Sequence, residues 1–149
     1  MVSVFDYLNY LDFIRDYSES LPKSGRGFRK LLSEHLSCQI SFISHVLSGD
    51  KDLSAEQAFK ASELFSFSDI EREYFMNLHG YNRAGTHELK NFYLERLDGL
   101  KSKNNASLKQ EMSSQVLSFV DQAIYFSEWF YSATILTRGS TLLKLSIKS

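Results

Sequence analysis

Few side chains in this chain could carry catalysis or hold a metal. Four histidines, His35, His45, His79 and His87, and the lone Cys38 are the candidate soft ligands in 149 residues. His35 and Cys38 stand at a spacing zinc can use, and His45 follows further along. Zinc sites generally take four ligands in short paired spacings, and no second pair exists here. A nucleophilic cysteine needs a nearby histidine and a lowered pKa. Cys38 lies in an apolar stretch and reads as a buried structural thiol. Asp69, Glu71 and Glu73 fall near a helix start, where carboxylates are solvated and favoured by the helix dipole. The 7 glycines are scattered and form no loop that could cradle a phosphate. The expectation is a protein that is not an enzyme, with no metal, no cofactor and no small-molecule ligand.

A different chemistry fits the stretch "RKLLSEHLSCQISFISHVLSGDKDLSAEQAFKASELF", residues 29–65. Its apolar residues fall at helical steps, stop after Leu36 and resume at Ile40. Leu32 and Leu36 are apolar anchors, and Ser33 is small enough for a second helix to cross closely. Ile43 and Val46 give that second helix a buried face. Ser37 occupies the turn, where glycine is favoured if φ is positive. Gly49 then stops the second helix. Two short helices joined so tightly fit a helix-turn-helix, whose second helix enters the major groove with its N-terminal residues against base edges. An ordinary helical hairpin has the same apolar pattern.

In the helix-turn-helix reading the outward, base-facing positions are Gln39, Ser41, Phe42, Ser44 and His45. A glutamine can make paired hydrogen bonds to adenine, serines can meet base or phosphate, and Phe42 can touch a thymine methyl. Phe42 joins the core instead if the helix is rotated. Arg26, Arg29, Lys30 and Lys51 are the candidate phosphate contacts. They dominate residues 23–51, where five cations face two carboxylates, between acidic flanks. The second helix itself carries no Lys or Arg. Each phosphate neutralised adds affinity by releasing counterions. A monomer should therefore bind double-stranded DNA weakly, and a homodimer is the expected state.

Six helical segments position these residues, and no stretch alternates as a strand would. They are expected over 4–17, 28–36, 39–47, 54–65, 68–81 and 86–100. "SAEQ" and "SDIE", beginning at Ser54 and Ser68, are capping boxes, and Thr86 can cap the last of these helices. "SLPKSGRG" at 20–27 is a linker rich in helix breakers. "KSKNNAS" at 101–107 is polar and expected to be a loop, followed by an aromatic helix near 121–137. The fold class is all-α. A compact N-terminal bundle over residues 1–82 has the helix order of a five-helix repressor-like domain, and a helical extension over 83–149 follows it.

The composition agrees with a globular protein. Hydrophobic residues make up 43% and charged residues 23%, both ordinary values. The N-terminus "MVSVFDYLNYLDFIRDY" carries acids and tyrosines rather than a basic patch before an apolar run, unlike a signal peptide. No run approaches the ~18 consecutive apolar residues of a membrane span. One cysteine excludes an internal disulfide. These features lead us to expect a cytoplasmic protein that does not enter a membrane.

Phe119, Tyr125, Phe126, Trp129, Phe130 and Tyr131 crowd the C-terminal segment. Such rings cover more than one helix face, and a lone helix cannot bury them all. Either they pack on the N-terminal bundle, or Phe126, Trp129 and Phe130 build a dimer interface, where aromatic residues are enriched.

The overall pattern resembles a family of helix-turn-helix regulators known as the Fibrobacter succinogenes major domain family. The echoes are "FDYL" at 5–8, "LSGDKDLS" at 47–54, "EREYFMNL" at 71–78 and "YFSEWFYSA" at 125–133, and the likeness spans about residues 4–137. It implies a bacterial transcriptional regulator with a Cro-like DNA-binding module, whose DNA-facing positions are those from Gln39 to His45. Members generally continue into a further winged-helix-like part, to which "TRGSTLLKLSIKS" shows no counterpart. A second expectation is therefore a protein-interaction module that no longer reads DNA and recruits or sequesters a fuller paralogue or another partner.

Overall fold

The first expected helix, over 4–17, is two pieces in the computed structural model, which describes residues 1–148, with side chains through residue 130. A 3₁₀ turn, Val4–Asp6, comes first, and helix α1, Tyr10–Ser20, begins after a break with Tyr7 and Asn9 extended. The break is held by side chains. Asn9 Oδ1 accepts from the Leu11 N–H at 2.9 Å and caps α1. Asn82 bridges the gap: its Nδ2 donates to Leu8 O and its Oδ1 accepts from the Tyr10 N–H, both at 2.9 Å. The Tyr74 hydroxyl donates to Tyr7 O, also at 2.9 Å. Two of these three restraints come from far along the chain, so the local apolar period cannot report them.

Helix α2, Phe28–His35, and helix α3, Ile40–Ser48, are separated by a four-residue turn. Ser37 takes the left-handed conformation expected of it, with φ of 53°. The Cys38 N–H donates to Ser33 O at 3.0 Å and the Ser37 N–H to Glu34 O at 3.2 Å. This crossed pair is the Schellman closure, which satisfies orphan carbonyls of α2. Gly49, at φ 91°, ends α3 in the same way: its N–H reaches Val46 O at 3.0 Å, and the Asp50 N–H reaches His45 O at 2.9 Å. A left-handed non-glycine residue costs ~1–2 kcal/mol, part of which glycine would give back as unfolded-state entropy. Ser37→Gly should therefore raise stability by about 0.5–1 kcal/mol, read as a higher denaturation midpoint at unchanged m-value.

Helix α4, Ala55–Ser62, tightens into a 3₁₀ turn, Glu63–Phe65, and helix α5 spans Asp69–Arg83. Both expected capping boxes form, on Ser54 with Gln57 and on Ser68 with Glu71. Thr86 Oγ1 accepts from the Leu89 N–H at 3.3 Å at the start of helix α6. That helix runs His87–Lys148 without interruption, so the loop expected at 101–107 does not exist. Lys, Ser and Asn there are polar but none is Gly or Pro, and their intrinsic helix penalty is small. Polarity in this stretch marks exposure rather than a break. The helix expected near 121–137 is part of the same continuous helix.

The chain divides into two compact units, Met1–Asn104 and Asn105–Ser149. The sequence reading placed the division near residue 82. The first unit extends further because Leu97 and Leu100 are buried in its core, at 1% and 8% exposure. The chain is all-helical, with no strand among the described residues. No described helix is long and apolar enough to cross a membrane.

The core of the first unit joins α1, α3, α4 and α5 around Phe13, Phe65 and Phe75. A polar knot fixes the loop after α3. The Tyr10 hydroxyl donates to Asp52 Oδ1 at 3.0 Å and accepts from the Leu53 N–H at 3.2 Å. His79 Nε2–H and Arg83 Nη1 both donate to Leu53 O at 2.7 Å. Burial pushes the Tyr10 phenol well above its ordinary pKa.

Burial also holds the His79 imidazole below its ordinary 6.5, outweighing the opposing bond to Leu53. The unfolded chain then binds more protons at mildly acidic pH, so stability should fall as pH drops from 6.5 towards the lowered folded value. Denaturant melts at successive pH values should show this slope in the native protein and a shallower one in His79→Gln, which keeps a donor for Leu53 O.

Candidate nucleic-acid interface

Helix α3 turns one face inward and the other to solvent. Ile43 and Val46 are 0% and 1% exposed, whereas Gln39, Ser41 and His45 are exposed and Ser44 is half-buried. Gln39 is the N-cap residue: its carbonyl receives the Phe42 N–H at 3.0 Å, which leaves the amide side chain outside the helix. Ser41 Oγ lies 3.5 Å from Gln39 Oε1, so the two form an adjacent polar pair at the start of α3.

Phe42 does not stand fully outward. It is partly buried against the core, and the Lys51 ammonium lies 5.7 Å from its ring centroid. That cation–π contact couples the loop after α3 to the helix. Of the two sequence readings of Phe42, thymine contact or core, the structure favours a place at the core margin.

At the other end of α3, His45 Nδ1 is 3.4 Å from Asp50 Oδ2, and Ser48 Oγ donates to the same oxygen at 2.9 Å. The bonds from Ser48 and then His45 hold the Asp50 carboxyl below its usual range. The Asp50 carboxylate thus stands beside His45 at the end of α3, next to the exposed Lys51.

The four candidate phosphate contacts are all exposed. Among the described residues no carboxylate lies within ion-pair distance of Arg26 or Arg29, whereas Lys30 Nζ stands 4.0 Å from Glu34 Oε1. Such an exposed pair contributes little and leaves Lys30 available. A polar cleft of about 500 Å³ opens where α1, the start of α2 and α3 meet; of the four candidates Arg29 lines it, together with Glu19, Ser44 and Ser48.

Sequence reasoning missed Arg15, which also lines the cleft. Its Nε donates to Leu47 O at 2.6 Å and its Nη1 to Asp12 Oδ1 at 2.8 Å, tethering the end of α3 to α1. The Asp12–Arg15 spacing signals a solvated helix pair, and nothing local points to Leu47.

His35 and His79 bridge elements of the first unit, and Cys38 is half-buried at its core margin rather than sealed inside. His35 Nε2 sits 2.9 Å from Lys60 O and 3.0 Å from Glu63 Oε2, joining α2 to α4. Burial pushes the Cys38 thiol above its ordinary pKa, the opposite of what a nucleophile needs. Among the described residues no three His, Cys, Asp or Glu side chains converge as a metal site would require. In the second unit, Phe126, Trp129 and Phe130 are 65%, 63% and 70% exposed.

Comparison with protein families, curated proteins and solved structures finds no match to this chain.

Proposed function

We propose that this chain is a DNA-binding transcriptional regulator that uses α2, the Ser37 turn and α3 as a helix-turn-helix and acts as a homodimer on double-stranded DNA. The observation that carries the reading is the division of α3: Ile43 and Val46 are sealed in the core while Gln39 and Ser41 stand exposed, and on the neighbouring segment the exposed Arg26 and Arg29 have no ion-pair partner among the described residues.

In this reading Gln39 hydrogen-bonds a base edge, with adenine the best geometric match, and Ser41 contacts a neighbouring base or phosphate. Arg26, Arg29, Lys30 and Lys51 bind phosphates and set the register on the duplex without reading sequence. The start of α2 adds backbone N–H groups that suit an anion. The reading assigns no catalytic residue and no cofactor.

Fluorescence anisotropy with random and selected duplexes tests it. Four phosphate contacts in each of the two copies should lower the dimer's affinity by on the order of 10⁴-fold between ~50 and ~200 mM salt. Binding to no duplex, or binding indifferent to salt, overturns the reading.

Two observations favour a second reading, a protein-interaction module that recruits or sequesters a fuller paralogue or another partner. Helix α3 carries no Lys or Arg, and the Asp50 carboxylate is held charged beside it. That reading requires self-association or partner binding with no duplex binding in the same titrations.

A further inference from the structure

The second unit presents an apolar stripe at seven-residue spacing along α6. Met112, Phe119 and Phe126 repeat every seven residues, and Val116, Ala123 and Phe130 repeat between them. This is the a/d seam of a coiled coil, about 27 Å long at the helical rise. Met112, Val116, Phe119 and Phe126 are exposed by 60–74%. The three charged residues from 111 to 130 are Glu111, Asp121 and Glu128, and all three lie off the seam. The positions flanking the seam hold uncharged residues, among them Gln115, Val120 and Gln122.

We infer that this face pairs with the same face of a second copy of the chain, antiparallel, about a dyad at residue 121. The inference rests on the dimeric part of the reading above and adds the occupant, direction and register. Area argues for a partner of this size. With the flanking Val120 and Trp129, the exposed apolar side chains of this face offer roughly 700 Å², close to what each side of a standard interface buries. The usual largest patch of a monomer is about 300–600 Å².

Side-chain volume argues for the direction. A parallel, in-register pair would stack Phe119 on Phe119 and Ala123 on Ala123, which crowds one layer and empties the next. It would also set Lys109, the next seam position, against its own copy. The antiparallel register sets Phe119 opposite Ala123 of the other copy, Phe126 opposite Val116, and Met112 opposite Phe130. Large then faces small or flexible, as a close-packed seam requires, and the two Lys109 side chains lie at opposite ends.

Light scattering and sedimentation of the full chain over a concentration series test the pairing. The native chain should be dimeric, and Phe119→Glu with Phe126→Glu should be monomeric, its first unit melting at the native temperature. A native chain that stays monomeric overturns the pairing, including one that instead binds vesicles of anionic lipid. So does a dimer that survives the double substitution.

Disulfide capture in a Cys38→Ala background tests direction. Chains carrying Phe119→Cys and Ala123→Cys should cross-link when mixed and not when alone. Cross-linking of each with itself, or none in the mixture, overturns the register. Duplex binding separates this inference from the reading it rests on. An intact dimer that binds no DNA counts against DNA recognition alone, whereas a monomer that binds DNA leaves DNA recognition standing and overturns the pairing together with the dimeric part of that reading.

Discussion

Reversing the charge of Arg29 and Lys30 should abolish measurable duplex binding. Both side chains are exposed at the start of α2, and among the described residues Lys30 alone of the two has a carboxylate within ion-pair distance, at 4.0 Å. Each phosphate contact contributes close to one unit to the slope of log affinity against log salt. Arg29→Glu with Lys30→Glu removes two such contacts from each copy of the dimer and puts anions where phosphates would sit. The slope should drop by about four and affinity by more than a hundredfold at low salt.

The fold should be unaffected, because neither side chain serves the core and the one ion pair lost is solvent-exposed. Anisotropy at several salt concentrations, with a thermal melt as control, reads both effects. Unchanged affinity in a folded double variant would remove α2 from any nucleic-acid interface. Gln39→Ala makes a useful contrast. It should leave the salt slope intact and relax sequence preference by about 1–3 kcal/mol at one base position.

Truncating Phe13 should produce the largest loss of stability. The side chain is 1% exposed. Its ring centroid lies 5.2 Å from that of Phe65, 5.5 Å from those of Tyr7 and Phe67, and 6.0 Å from that of Phe75. Phe→Ala in a close-packed core costs about 3–5 kcal/mol through lost transfer energy and the cavity left behind. Natural domains are stable by only ~5–15 kcal/mol, so Phe13→Ala should lower the melting temperature of the first unit by roughly 15 °C or more. Phe13→Leu, which keeps most of the volume, should cost less than half as much. Equal melting temperatures for the native protein and Phe13→Ala would show that the ring cluster is not what holds α1 to α4 and α5.

Punctuation by local chemistry was legible before any coordinates. Ser54 and Ser68 have their glutamine and glutamate three residues on, and each box closes on itself. Ser37 and Gly49 sit where apolar periodicity stops, and both adopt positive φ. Such signals act within one helical turn, so the relevant partners are in view when the sequence is read. The inward face of α3 was legible for the same reason, since Ile43 and Val46 follow the helical period. The outward face was legible only by subtraction, which is why Phe42 stayed ambiguous until the Lys51 contact and the core margin were seen.

Three features were out of reach, and each depends on groups distant in sequence or on a signal that polarity does not carry. The break before α1 is held partly by Asn82 and Tyr74. The tether from Arg15 to Leu47 O crosses between helices. The polar run at 101–107 stays helical because nothing in it forbids a helix.

The sequence by itself determined that the chain is helical, where most helices start and stop, and which residues of α3 are sealed inside. Those properties follow from capping, backbone conformation and periodicity, which are local. Tertiary structure decided how α1 is cut and how the loop carrying Lys51 is pinned by Tyr10, His79 and Arg83. Those depend on which polar groups meet once the core has closed, and no local pattern encodes such meetings.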